Sequence, residues 1–472
     1  MKDPGSVVIL GAGPTGLGAA YRFAEHGLGD FALYEITGAP GGLASSHVDA
    51  EGFTWDVGGH VQFSHYDYYD RVLDRALGDD WLWHERESWI WIAGRFVPYP
   101  FQNNVHRLDA VDRDRCLAGL EEAASRPRRP PAHFGDWVEQ TFGHGVADLF
   151  MVPYNRKVWG YPLERLGTSW MGDRVAVPDL ARIRENVRHH RDDVAWGPNS
   201  TFRFPRHGGT GAIWHAVARL IDPRRMSFGV GAHAVDLATR SIDLTDGRRI
   251  RYERLVSTLP LDTLASLCTG LSARARAAAD ALVYSAVHII GVGLRGERPP
   301  ALARKCWMYF PEAHSPYYRV TVFSNYSPHN VPDAGTDWSL MAEVCETPER
   351  RVDAQTLPAR VVAALRRDAL IPRGAAVVSV WSRREEHGYP TPYRGRDEDL
   401  AVLRPELEAR GVSSRGRFGA WMYEVSNQDH SFMQGVEVAD RLLGAGEETT
   451  VVDPERVNRG AFLTAGPRTA GR

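Results

Sequence analysis

Apolar and polar positions follow two rhythms along this 472-residue chain, and the changes between them mark its parts. Val7 to Leu10 is a short unbroken apolar run, as expected of a strand covered on both faces. Apolar residues then recur at helical spacing from Leu17 to Glu25, stop at Gly27, and give way to a second strand at Phe31–Glu35. Trp81 to Phe101 is rich in aromatic and β-branched residues, and a turn at Ala93-Gly94 makes it a hairpin. Helical spacing returns between about Val105 and Arg191, clearest at Asp136–Phe142 and Val146–Met151, with a Pro- and Arg-rich loop at Ser125–Pro131. Phe202–Pro205, a helix reaching Leu220, and strands near Ser227, Ser241 and Arg251–Thr258 rebuild an α/β or β-meander unit. Strands then dominate, at His288–Leu294, Trp307–Phe310, Tyr318–Phe323 and Trp338–Val344, before a terminal helix within Trp421–Leu443. Beyond Ala445 the apolar pattern fades, which predicts a loose tail.

The pattern predicts an α/β protein: a Rossmann-like FAD/NAD-type nucleotide-binding domain (1–66, 200–282 and 405–450) with an inserted helical domain (104–199). A mostly antiparallel sheet domain (67–103 and 283–404) and a tail (451–472) complete the division. No internal repeat or low-complexity block is present.

The first segment has the spacing of a ligand site. Gly11, Gly13 and Gly16 stand in G-x-G-x-x-G register between strand and helix, with Thr15 in the same turn. Gly11 permits the turn, Gly13 lets backbone approach a pyrophosphate, and Gly16 lets the helix pack on the strand with its first amides toward the phosphates. Glu35 ends the second strand about twenty residues later, where a dinucleotide fingerprint places an acid on the ribose hydroxyls. The following Pro40-Gly41-Gly42-Leu43-Ala44-Ser45 resembles the FAD-binding opening of amine-oxidase-like flavoproteins, although a glycine doublet also serves in an ordinary turn. Gly58-Gly59 poses the same choice, and His60 after it reads as a core histidine or as a group facing the isoalloxazine ring. Tyr99 to Asn104 is a rigid aromatic and amide segment suited to a planar base. Tyr154–Trp159 and Trp170–Arg174 mix aromatic, polar and cationic groups, which fits a pocket wall or surface packing of Trp on Arg. Asn427–Met433 opens the last helix, whose N-terminus suits an anion or a flavin edge.

Composition narrows the partners. Net charge is -3 and the pI near 6.7, so nucleic acid or an anionic membrane is disfavoured as the main partner and anions must be held locally. The cations are nearly all arginine, with Lys2, Lys157 and Lys305 the only lysines; arginine suits bidentate phosphate binding. Cys116, Cys268, Cys306 and Cys345 are far apart, so neither a metal site nor a disulfide framework is indicated. No apolar run approaches the roughly 20 residues of a membrane span, and a cytoplasmic protein is expected.

GAGPTGLGAA, PGGLASS, VGGHVQFSHY, VPYPFQNN, PYNRKVWG, GPNSTFRFP, FPEAHSPYYR, HGYPTP and SRGRFGAW followed by NQDHSFMQGVE run in order through the chain. Together they resemble the eukaryotic-type UDP-galactopyranose mutases from Val7 to about Asp440. The resemblance implies three domains, with a twisted antiparallel sheet as the third, and an isomerase that interconverts pyranose and furanose forms of an NDP-hexose. In that family reduced FAD attacks the anomeric carbon, the nucleotide leaves, and the opened sugar recloses through another hydroxyl before the nucleotide returns.

Carried over by motif, Arg174 and Arg319 bind the diphosphate with Tyr309, Tyr389 and Tyr423, and His60 stacks near the flavin. Tyr99, Phe101, Gln102, Phe150, Asn155 and Trp159 surround the nucleoside, and Asn199 lies on a loop that closes on substrate. Gly11, Gly13, Thr15, Gly16, Glu35, Gly42, Leu43, Gly58, Gly59, Arg417, Asn427, Gln428 and Ser431 hold the flavin dinucleotide, while Arg86 and Ser88 stand where NADPH meets fungal members as reductant. Gln62, Met422 and Ser426 depart from the family near the flavin, and Val152 replaces an arginine in the base region. A relative acting on another nucleotide, such as a GDP-sugar, with or without flavin, stays open. So does a flavin oxidoreductase of the amine-oxidase type. Oligomeric state is not set by the sequence.

Overall fold

The computed structural model describes residues 4–172, 175–194 and 200–460. Its first layer is a five-stranded parallel sheet in the order Val412–Ser414, Arg254–Ser257, Val7–Leu10, Phe31–Glu35 and Met226–Phe228. Val7 and Ile9 point into one apolar cluster with Leu17, Phe23, Ile213 and Trp214; Val8 and Leu10 point into another with Tyr34, Leu255, Leu264 and Leu403. Burial on both faces is why the central strand carries no polar position.

The helix Pro14–Glu25 packs on the helix Gln428–Leu443 almost backbone to backbone. A Cβ on Gly435 would lie 1.9 Å from the Thr15 carbonyl oxygen, and one on Gly18 would lie 2.3 Å from that of Phe432. No side chain fits at either position, so these glycines set the spacing that brings both helix N-termini to one end of the sheet.

The second layer is a seven-stranded sheet ordered Ala376–Pro390, Tyr284–Arg295, Asp337–Glu346, Arg319–Thr321, Trp307–Tyr309, Ser88–Ile92 and Arg95–Pro98. Its pairings are antiparallel except that Trp307–Tyr309 runs parallel to Ser88–Ile92. The expected hairpin is present, turning through Ala93 and Gly94 at φ of 49° and 71°. Helices Ala110–Ser125, Phe134–Val146, Val152–Trp159 and Leu180–His189 close a third core around Phe101, Val138, Phe150 and Trp159.

Three boundaries differ from the expectation. The helix Asp67–Leu77 buries Tyr69, Val72 and Leu73 in the nucleotide-side core, so residues 67–77 are not part of the sheet layer. The division at 404 and 405 falls inside the helix Arg396–Ala409, whose Leu400, Leu403 and Leu407 also pack on the parallel sheet. The tail is not loose as far as residue 460: Thr450 and Val457 are fully buried. Thr450 is fixed by the Glu437 carboxylate and the Tyr66 hydroxyl, polar anchors that leave no apolar periodicity in the sequence.

Candidate active site

The end of Val7–Leu10 opens into a trough made of backbone. Gly11 turns at φ 102°, and a Cβ on Gly16 would lie 1.9 Å from the Gly11 carbonyl oxygen, so Gly16 is buried beneath the turn and does not face a ligand. Gly13 faces Gly41 and Gly42, whose φ of 123° and 54° favour glycine. Glu35 accepts from the Ala12 amide at 2.7 Å and from the Thr37 amide and hydroxyl at 2.8 and 2.7 Å, which fixes its carboxylate at the trough edge. Pro14 begins the helix, leaving the first-turn amides without helical partners.

The trough continues into a cavity of about 1390 Å³ lined from both sheets and the helical part. That exceeds the usual 300–1,000 Å³ of a site for one small ligand. Gly11, Gly13, Thr15, Glu35, Gly42, Leu43, Gly58, Gly59, His60, Arg417, Asn427, Gln428 and Ser431 line it. So do Arg86, Ser88, Tyr99, Gln102, Phe150, Asn155, Trp159, Tyr309, Arg319, Tyr389 and Tyr423. Phe101 does not: it is fully buried behind the wall, its ring stacked on Phe150 at 5.1 Å. Arg174 and Asn199 lie outside the described residues.

Gly58, at φ 103°, and Gly59 expose backbone to the cavity and place His60 beside it. Burial pushes the His60 imidazole down to about 4; Glu343 opposes this, while Arg417 and Arg319 add to it. The ring is neutral near pH 7, and its buried Nδ1 has no hydrogen-bond partner among the described residues. Arg417 lies 4.8 Å from the centre of the Tyr389 ring and donates to the Gly388 carbonyl at 3.0 Å.

The three departures on the flavin side are absorbed locally. Ser426 Oγ accepts from Arg417 at 2.9 Å and donates to the Tyr423 carbonyl at 2.9 Å. Gln62 accepts from the Tyr69 hydroxyl at 2.5 Å and reaches Thr210. Met422 Sδ faces Arg404 Nη1 at 3.5 Å. The trough of glycines, the fixed acid and the orphaned His60 nitrogen fit a flavin dinucleotide.

Strand register builds the opposite wall. Tyr309, Arg319 and Glu343 are direct partners on three neighbouring strands and share one face of the sheet. Arg319 donates to Glu343 through Nε and Nη2, both at 2.7 Å, and Tyr318 adds its hydroxyl at 2.7 Å. Burial would lift the Glu343 carboxyl, yet Arg319 with the Tyr318 and Gly59 donors holds it below its ordinary value. A guanidinium gripped this way is a fixed cation, and its Nη1 has no hydrogen-bond partner among the described residues, so it can take an incoming anion.

Phenol rings crowd around it. Tyr423 meets Trp159 at 4.9 Å and Trp170 at 5.4 Å, and Tyr309 meets Tyr154 at 5.2 Å and Tyr99 at 5.4 Å. Burial raises the Tyr309 and Tyr389 hydroxyls, so both stay protonated and able to donate. Deeper in, Phe150 stacks between Phe101 and Tyr154, and Gln102 is pinned by its amide nitrogen to the Ala176 carbonyl at 2.7 Å.

Two pairings escaped the sequence reading. Glu343 is an acid in the middle of an apolar strand, and that isolation was its only signal. Asp429 accepts from the His65 amide at 3.0 Å and from His65 Nδ1 at 2.7 Å. With His430 these groups lie within 4.8 Å of one another, but His65 Nδ1 and the carboxylate already engage each other. Among the described residues no helix is long and apolar enough to cross a membrane.

A sequence model of the flavin containing amine oxidoreductases matches residues 14–450. A solved structure of reduced UDP-galactopyranose mutase superposes with a TM-score of 0.94 at 48% identity, covering 96% of this chain and 97% of that one. Putrescine oxidase bound to putrescine shares the fold at a TM-score of 0.63 and 15% identity over 93% of this chain and 99% of that one. A fatty acid isomerase from P. acnes does so at 0.62 and 13%, over 93% and 99%.

Proposed function

Since the chain belongs to the flavin containing amine oxidoreductases and, within them, to the UDP-galactopyranose mutases, we propose that its cavity binds FAD and a nucleotide sugar side by side. The protein is a nucleotide-sugar mutase, an isomerase that uses FAD. The proposed substrate pair is UDP-galactopyranose and UDP-galactofuranose.

The observation that carries this reading is Arg319, a cation fixed by Glu343 and ringed by tyrosines, in the same cavity as the glycine trough. A diphosphate that departs and must return needs such a fixed counter-charge, because holding it nearby keeps the return step intramolecular.

Gly13, Thr15, Glu35 and Gly42 would hold the dinucleotide, and Gly58–His60 with Arg417, Asn427, Gln428 and Ser431 the ring end. Bound there in its reduced form, flavin would supply a nucleophile for the anomeric carbon. Arg319 holds the leaving diphosphate, and Tyr309, Tyr389 and Tyr423 donate to its oxygens. The neutral His60 ring adds no charge beside the ring end. Phe150 and Gln102 orient the base, and the aromatic walls keep water from the exposed sugar carbon. Arg86 and Ser88 line a part of the cavity suited to the reductant NADPH.

The test is anaerobic turnover of UDP-galactofuranose by the dithionite-reduced, FAD-loaded protein. Pyranose product is expected, and none from the oxidised form. Turnover confined to a GDP-sugar would move the nucleotide assignment.

A further inference from the structure

The Glu343 carboxylate carries one hydrogen bond that aiming Arg319 does not require. Its Oε1 accepts from the Gly59 amide at 3.1 Å as well as from Arg319 Nε, while Oε2 accepts from Arg319 Nη2 and the Tyr318 hydroxyl. One buried acid therefore touches both the cation of the nucleotide wall and the backbone of the ring-end wall. The contact is close-packed: a Cβ on Gly59 would lie 3.0 Å from Thr321 Oγ1 and 3.3 Å from Glu343 Oε1. A few residues on, a second buried acid, Asp429, grips His65 through amide and ring. The segment from Gly59 to His65 is thus tied at both ends, with Gly58–His60 at the end tied to Arg319.

We propose that Glu343 is a positioning residue that couples occupancy of Arg319 by a diphosphate to the placement of the Gly58–His60 backbone. An anion on Nη1 takes a share of the guanidinium charge that otherwise neutralises Glu343. Oε1 then becomes a stronger acceptor and draws the Gly59 amide toward it. Gly58, free of side-chain restraint, lets the peptide follow. The effect runs both ways by linkage: any displacement of this backbone by a change at the ring end, reduction of a bound flavin included, changes the hold of Arg319 on the nucleotide. This inference rests on the reading of Arg319 as the diphosphate-binding cation.

The experiment titrates UDP into the FAD-loaded full chain, oxidised and dithionite-reduced, for the wild type and Glu343→Gln. In the wild type the Kd differs between the two states by at least about five-fold, the low end of ordinary coupling. Glu343→Gln keeps the shape but not the charge, and there the ratio falls below about two-fold while FAD is retained. Equal weakening of both affinities with the ratio preserved would reduce Glu343 to aiming Arg319 and overturn the proposal. So would a wild type that binds UDP equally in both states. A wild type that binds UDP in neither state would fail the nucleotide reading itself, a different result. Should Glu343→Gln not fold, Tyr318→Phe removes one donor from Oε2 without altering the packed ring; a ratio there equal to wild type overturns the coupling.

Discussion

Arg319 is worth most where its charge cannot be replaced. Arg319→Ala is expected to weaken UDP binding by about 2 kcal/mol or more, the scale of a charge-assisted contact in a dry site, read by titration at fixed FAD occupancy. It also strands Glu343 as a buried, uncompensated carboxylate, so the thermal midpoint falls in the same variant. His60→Ala is the converse case. Nucleotide affinity stays within about two-fold of wild type, because the ring is neutral and pairs with no anion, while turnover drops by about ten-fold or more if the ring orders the flavin; full turnover would remove His60 from the chemistry. At this scale the sequence spoke unevenly. Glycine spacing and an acid at strand's end exposed the dinucleotide trough, since backbone clearance dictates residue type. Glu343 stayed hidden because its partners, Arg319, Tyr318 and Gly59, converge only through strand register and a distant loop.

Elements carry a different kind of constraint. The helices Pro14–Glu25 and Gln428–Leu443 touch through glycine, so Gly435→Ala must drive a methyl group into the Thr15 carbonyl. That displaces the first turn of the nucleotide-side helix, and the purified variant is expected to lose most of its bound flavin absorbance while wild type keeps it. A second constraint sits where the strand Thr54–Asp56 meets the helix Gly211–Ala218. Burial pushes the Asp56 carboxyl up from 3.8 to about 7, with Ser46 and the Thr210 amide opposing. The folded protein thus holds a proton that the unfolded chain releases. Stability is highest below 3.8 as far as this group is concerned and declines as pH rises through about 7. Asp56→Asn keeps an acceptor for the Ser46 hydroxyl and the Thr210 amide, so its melting temperature is expected to fall less than that of wild type between about pH 5 and about pH 8. Helix Gln428–Leu443 was legible from its apolar spacing. Helix Arg396–Ala409 was not, because Pro405 interrupts an otherwise regular Leu400, Leu403, Leu407 series.

The whole molecule is organised around a cavity that no single layer encloses. FAD held by the folded chain and not by the unfolded one raises the unfolding free energy by about 2.7 kcal/mol at a hundred-fold excess over Kd. UDP is expected to add a further increment to the melting temperature only when Arg319 is intact, which differential scanning calorimetry would resolve. The parallel sheet also has a bearing on how the chain is made. Its middle strand, Val7–Leu10, is flanked by Phe31–Glu35 on one side and by Arg254–Ser257 on the other, and the far edge is Val412–Ser414. On a ribosome Val7–Leu10 therefore emerges soon before Phe31–Glu35 but long before Arg254–Ser257, and its second edge has to be shielded, by a chaperone or by provisional contacts, until more than half of the polypeptide has been synthesised, with Val412–Ser414 closing the sheet later still. Truncation near the carboxyl end would then cost the cell the amino-terminal cofactor cradle as well, although hundreds of residues separate the two along the chain.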